Sequence, residues 1–193
     1  MKSKFKILIV FVTLAFSLSI MSNTYSRYVA DATGDVELTF AKWQILVSEE
    51  DITDGEEHTI DITPTILENT NVAAGKLAPT SVGYYDIEID PTNVETSFNY
   101  TINILDIENM PDMLITKYEI IDSLGNSTEY SINNNAITDT VNYSDSLDIF
   151  TIRIYFDWYD AEDNQMSDED DTLISLEESV SILTNISFEQ KIG

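Results

Sequence analysis

The chain contains no cysteine, a single histidine and nine basic side chains against 35 acidic ones in 193 residues. Each shortage excludes a class of chemistry. Without cysteine there is no disulfide framework, so an exported domain must rely on packing, ions or neighbours. Periplasmic proteins of double-membraned bacteria commonly use disulfides, and a cysteine-free exported chain therefore points to a Gram-positive source. The one histidine, His58, would have to serve any Ser/His/Asp triad or zinc site alone. It lies in a Thr/Glu-rich stretch with no nucleophile elbow near it, and zinc sites take several His or Cys ligands. His58 is expected to be a solvated residue at a strand edge. Carboxylates are so numerous that no pair stands out as a glycosidase dyad. No catalytic and no cofactor-binding residue is expected. A net charge of −26 repels nucleic acid and anionic lipid and attracts cations, so nucleic acid is excluded as a partner.

What is present begins with Lys2, Lys4 and Lys6, followed by a mostly apolar run from Ile7 to Ile20 broken by Thr13, Ser17 and Ser19. A basic n-region before a short apolar run is the layout of a secretory signal peptide. The run is about 14 residues, or about 21 Å of helix, short of the roughly 30 Å of a bilayer core. Cleavage is expected between about Tyr25 and Thr33, at small residues such as Ala30 and Ala32, and contact with membrane is expected only through the signal peptide. Residues 1–32 are assigned to that peptide and 33–193 to one domain. Its removal takes away four of the nine basic and one of the 35 acidic side chains, leaving a net charge of about −29. The remaining chain keeps enough Ile, Leu, Val and aromatic side chains to build a core, so its acidity decorates a folded domain.

From Val36 onward the apolar residues alternate with period two. Val36, Leu38 and Phe40, then Trp43, Ile45 and Val47, predict one long strand or two joined near Ala41. Further strands are predicted at 58–63, 82–90, 98–107, 117–123, 127–132, 136–141, 149–158 and 180–188. Leu124-Gly125-Asn126 reads as a hairpin turn, and only 173–179 invites a helical turn. Short strands separated by turn signals, with little helix, predict an all-β, antiparallel β-sandwich of jelly-roll type.

The densest acidic cluster is Asp157, Asp160, Glu162, Asp163, Asp168, Glu169, Asp170 and Asp171. Hard oxygen ligands on a loop suit Ca²⁺, with Asp168, Asp170 and Asp171 as its candidate ligands, but the spacing is not that of an EF-hand. The other reading is a solvated acidic loop. Four Asn-x-Ser/Thr sequons, at Asn99, Asn126, Asn142 and Asn185, match chance in so Asn-rich a chain. Trp43 and Trp158 are expected in the core.

Several stretches taken in order resemble the TasA/camelysin family of secreted biofilm-matrix fibre proteins, exported with SipW-type signal peptides. They are the signal peptide leading into Tyr25-Ser26-Arg27-Tyr28, then Ala41-Lys42-Trp43, Leu77-Ala78-Pro79 with Val82-Gly83-Tyr84-Tyr85-Asp86-Ile87, Phe156-Asp157-Trp158, Asp170-Asp171-Thr172 and Phe188-Glu189-Gln190. The resemblance implies a jelly-roll subunit, secreted to the extracellular matrix or cell surface, that polymerises with copies of itself and meets other matrix or cell-surface components. It further implies that the mature N-terminal segment, with Val36, Leu38 and Phe40, completes the sheet of the next subunit. Those three residues can equally pair within their own domain. Camelysins are also described as metalloproteases, but this chain lacks His-Glu-x-x-His and metal-binding nitrogens. A cell-surface protease and a monomeric surface adhesion module are the alternatives.

Overall fold

A computed structural model describes residues 9–18, 39–53, 58–107, 110–145, 147–161, 165–174, 176 and 181–191. The chain divides into two units, Met1–Thr39 and Phe40–Gly193. In the first, residues 9–18 form a helix, α1. The hydroxyls that interrupt its apolar run turn back on the backbone: Thr13 Oγ1 donates to the Ile9 carbonyl and Ser17 Oγ to the Thr13 carbonyl, both at 2.9 Å. Such back-bonding satisfies a polar group without solvent. No helix among the described residues is long and apolar enough to cross a membrane.

The second unit is an all-β, antiparallel sandwich. Its described strands are β1 (Leu46–Val47), β2 (Glu50–Asp51), β3 (Thr65–Ile66), β4 (Val82–Asp90), β5 (Phe98–Ile107), β6 (Met113–Ile121), β7 (Ser127–Ser131), β8 (Ala136–Val141), β9 (Phe150–Trp158) and β10 (Ile182–Gln190), with one short helix, α2 (Asp168–Ile174). Sheet A has the order β2-β1-β4-β9-β6-β7, with β3 also on β4; sheet B has the order β10-β5-β8. The pairs β6·β7, β5·β8 and β4·β9 are nested in sequence, and successive pairs alternate between the sheets. A long hairpin rolled up in this way is the jelly-roll connection.

Alternation decides which face is buried. In β4 Tyr85, Ile87 and Ile89 point inward; in β5 Phe98, Tyr100, Ile102 and Ile104; in β9 Ile152, Ile154, Phe156 and Trp158. These rows meet between the sheets as one core, joined by Ile45, Val47, Ile137 and Met113. Burying aliphatic and aromatic side chains of this size contributes about 1.5–3 kcal/mol each.

The expectations for 82–90, 98–107 and 136–141 agree with the strands to the residue. Three differ. Among the described residues, the expected strand from Val36 has ladder pairing only at Leu46–Val47, although Ile45 and Val47 are buried as the alternation requires. Residues 41–45 are held instead by single contacts: Lys42 N donates to Glu95 Oε2 at 3.0 Å, Glu95 N to the Lys42 carbonyl at 2.9 Å, and Trp43 meets Phe98 edge-on at 6.0 Å. The expected strand at 58–63 is irregular, and pairing with β4 is found only past Pro64, at β3. The helical turn expected at 173–179 begins earlier, at Asp168. Ser167 caps it: Ser167 N and Oγ donate to Asp170 Oδ2 at 3.0 and 2.8 Å, while Asp170 N donates back to Ser167 Oγ at 3.3 Å.

Candidate functional site

The acidic cluster, expected mostly in a loop, runs from the end of β9 through the connecting segment into the first turn of α2, and its carboxylates have separate jobs. Asp112, almost fully buried, accepts hydrogen bonds from Gln165 N at 2.7 Å and Met166 N at 2.6 Å, while its carbonyl accepts Tyr159 N at 2.8 Å. It thereby ties both ends of the loop to the start of β6. Asp170 is spent on the Ser167 cap, which holds its carboxyl below the usual range. Asp171 points inward and is 8% exposed. Burial raises its carboxyl, and the charges of Asp160, Asp112 and Asp168 raise it further. The Trp158 indole N–H opposes the shift, though neither Nε1 nor Asp171 Oδ1 makes a hydrogen bond of ordinary geometry. Asp157, half-buried, is raised by desolvation. Among the described residues no three His, Asp or Glu side chains gather as a metal cage, so Asp168, Asp170 and Asp171 are not brought together around one point. Glu162 and Asp163 lie outside the described residues.

Other acidic residues serve turns. Asp51 accepts from Thr53 Oγ1 at 2.6 Å and Thr53 N at 3.0 Å, and also from Gln44 Nε2 at 2.7 Å; these bonds take its carboxyl down to about 2. Asp90 holds Thr92, and Asp122 holds Leu124 and Asn126, in the same way. His58 corrects the expectation of a solvated strand edge. Its side chain is 17% exposed in the irregular segment before β3, and Nδ1 lies 3.5 Å from Glu50 Oε1.

The stretches quoted from the sequence converge in space. Gly83 and Val82 are register partners of Phe156 and Asp157. Thr80 N donates to the Trp158 carbonyl at 3.0 Å, and Trp158 N to the Ser81 carbonyl at 2.9 Å. Ser81 Oγ accepts from Ala78 N at 3.0 Å. Leu77-Ala78-Pro79, the start of β4, the end of β9 and Asp171 thus build one end of sheet A. At Trp43, Phe98 links Ala41-Lys42-Trp43 to Phe188 through ring contacts of 6.0 Å each.

The second candidate site is an edge. A strand with unpaired main chain on one side is a template for another strand unless blunted by charge, shortness or a cover. On sheet A, β2 is two residues long and acidic, and β7 is fully exposed and carries Glu129. On sheet B, β8 carries a charge, Asp139, exposed on the side of the strand that pairs with Tyr100. β10 carries one charge, Glu189 on its outer face, but its inner row has none, and it is neither short nor covered among the described residues. It runs for nine residues, its inward row is Ile182, Thr184, Ile186 and Phe188, and among the described residues no strand pairs with its far side. That row is only half-buried, so the sandwich is incompletely covered there. Phe40, the described member of the expected self-assembly set, is 85% exposed; Val36 and Leu38 lie outside the described residues.

No protein-family model matches this chain, and no curated protein matches it.

Proposed function

We propose that this chain is a secreted structural protein, a subunit that polymerises into extracellular fibres of a biofilm matrix, as its resemblance to the TasA/camelysin proteins implies. In this reading the N-terminal segment of one subunit, with Val36, Leu38 and Phe40, adds to the β10 edge of the next. The observation that carries it is β10 itself, a nine-residue edge with an uncharged, half-covered inner row. Main-chain hydrogen bonds would supply affinity, and the period-two side chains would fix register against Ile182, Ile186 and Phe188. Phe40 supports the reading, since a phenylalanine left 85% exposed gains most by being covered by another chain. A head-to-tail contact that does not close generates a filament.

Removing residues 33–40 from the secreted chain is expected to leave the thermal transition cooperative and to abolish fibres in negative-stain micrographs. Ile182→Lys, which places a charge in the acceptor row, should do the same. Fibres that persist in both variants would sink the exchange.

A further inference from the structure

The outer faces of the two sheets differ in charge. A rank across sheet A at mid-height reads Asp86, Arg153, Glu119 and Glu129, every position charged. Arg153 forks onto Asp86 with two bonds of 2.8 Å, and Lys117 joins the Glu129 carboxylate. On sheet B the three outward ranks across β10, β5 and β8 hold nine residues, of which only Glu189 is charged. The centre is Ser187-Thr101-Thr138, bordered by Asn185-Asn103 on one side and Asn99 on the other. Two of the four sequons, at Asn99 and Asn185, fall here because a strand puts residues two apart on the same face.

We infer that the outer face of sheet B is a self-association surface that docks the same face of a second copy of this chain. Three observations favour that occupant. Molecules that each carry a charge of −26 repel wherever carboxylates meet, and this face, with Glu189 as its single charge, brings two copies together at low electrostatic cost. Carboxylates only accept hydrogen bonds, so an acidic face cannot pair with its own copy, whereas each Asn, Thr and Ser side chain both donates and accepts. The pleat is also occupied at its centre by short side chains, with Thr101 Oγ1 3.5 Å from Thr138 Oγ1, which permits close face-to-face stacking. A two-fold axis lying between the two faces, over Thr101, would make the contact self-complementary.

The face measures about 300 Å², from three strands about 4.8 Å apart and three outward ranks about 6.8 Å apart. That is well under half of what a stable interface buries per partner, about 800 Å². A single contact is therefore weak, and repetition along a filament would strengthen it. The association itself goes beyond the fibre reading and does not depend on it.

The absence of cysteine makes the test clean. Thr101→Cys on this face and Thr151→Cys on the outer face of sheet A are each treated with a thiol-to-thiol cross-linker matched to the roughly 10 Å between stacked sheets. Pre-association raises the local thiol concentration, so covalent dimer from Thr101→Cys is expected to form about tenfold faster. Adding Thr138→Glu to Thr101→Cys should remove that advantage. Equal rates from the two cysteine positions, or an advantage untouched by Thr138→Glu, would overturn the inference. Suppression of the dimer by a soluble neutral glucan that itself binds the chain would reassign the face to polysaccharide. Micrographs of the same samples keep the two readings apart: an absence of filaments counts against the fibre, and the cross-linking result against the face.

Discussion

Gly83 lies directly against the ring of Phe156, its register partner across β4 and β9. A Cβ at position 83 would overlap that ring and stand 2.8 Å from the Thr65 carbonyl oxygen. The glycine therefore gives Phe156, itself almost fully buried, the room to cover this end of the core. Backbone on one side and a core aromatic on the other leave little space for relaxation.

Gly83→Ala is accordingly expected to destabilise the domain by about 2–3 kcal/mol through overpacking. Urea unfolding monitored by tryptophan fluorescence measures it, with Trp158 two residues from Phe156 as reporter. A loss below half a kilocalorie would mean that the ring moves aside.

Asp112→Ala should cost about 3 kcal/mol, because it leaves the Gln165 and Met166 amides without their charged acceptor. Amide exchange of the segment from 165 to 171 should quicken in this variant more than exchange in β4 or β9. Uniform acceleration would show that the loop is not tethered through Asp112.

The pH dependence at Asp171 has a definite sign. Its carboxyl is raised in the folded state, chiefly by burial, so the native form binds more protons than the unfolded one between the two values. The favourable contribution is complete below the unfolded value, near 3.9, and is lost as pH rises through the folded value. Asp171→Asn removes this dependence. The stability of the variant relative to the parent should therefore rise as pH increases from about 4 toward neutrality, read from chemical denaturation at several pH values. A flat difference would contradict the raised carboxyl. Asp51, Asp122 and Asp170 are lowered, and their contributions run the opposite way, fading as pH falls.

Polymerisation should quicken as salt rises. At physiological ionic strength the Debye length is about 8 Å, so subunits of the same sign repel strongly in dilute buffer and much less once screened. Light scattering against sodium chloride and calcium chloride measures the rate, and indifference to both would contradict a charge-limited assembly.

Much of the fold was legible because strand periodicity is local. The alternation at 82–90 and 98–107 gives both the extent of the strand and its buried face. The short pieces were not legible. Residues 41–45 keep the alternating burial of a strand without a neighbouring ladder, and long-range contacts explain their path: Lys42 with Glu95, 53 residues apart, and Trp43 with Phe98. The site was less legible still. Asp168, Asp170 and Asp171 look equivalent in sequence, yet helix geometry turns Asp170 back onto Ser167 and buries Asp171. The bare edge at β10 had no signal of its own, since an exposed strand reads like a paired one.

By itself the sequence determined that the chain is thiol-free and acidic, carries three lysines ahead of an apolar run, and forms antiparallel strands with one apolar face. Charge, composition and period-two patterning depend on neighbours along the chain. Tertiary structure alone decided which strands end at a bare edge, which carboxylates are buried, and that the uncharged Asn, Thr and Ser side chains of β5, β8 and β10 share one face. Those properties depend on pairing between segments up to about 90 residues apart, such as Thr101 with Ser187, which no local pattern encodes.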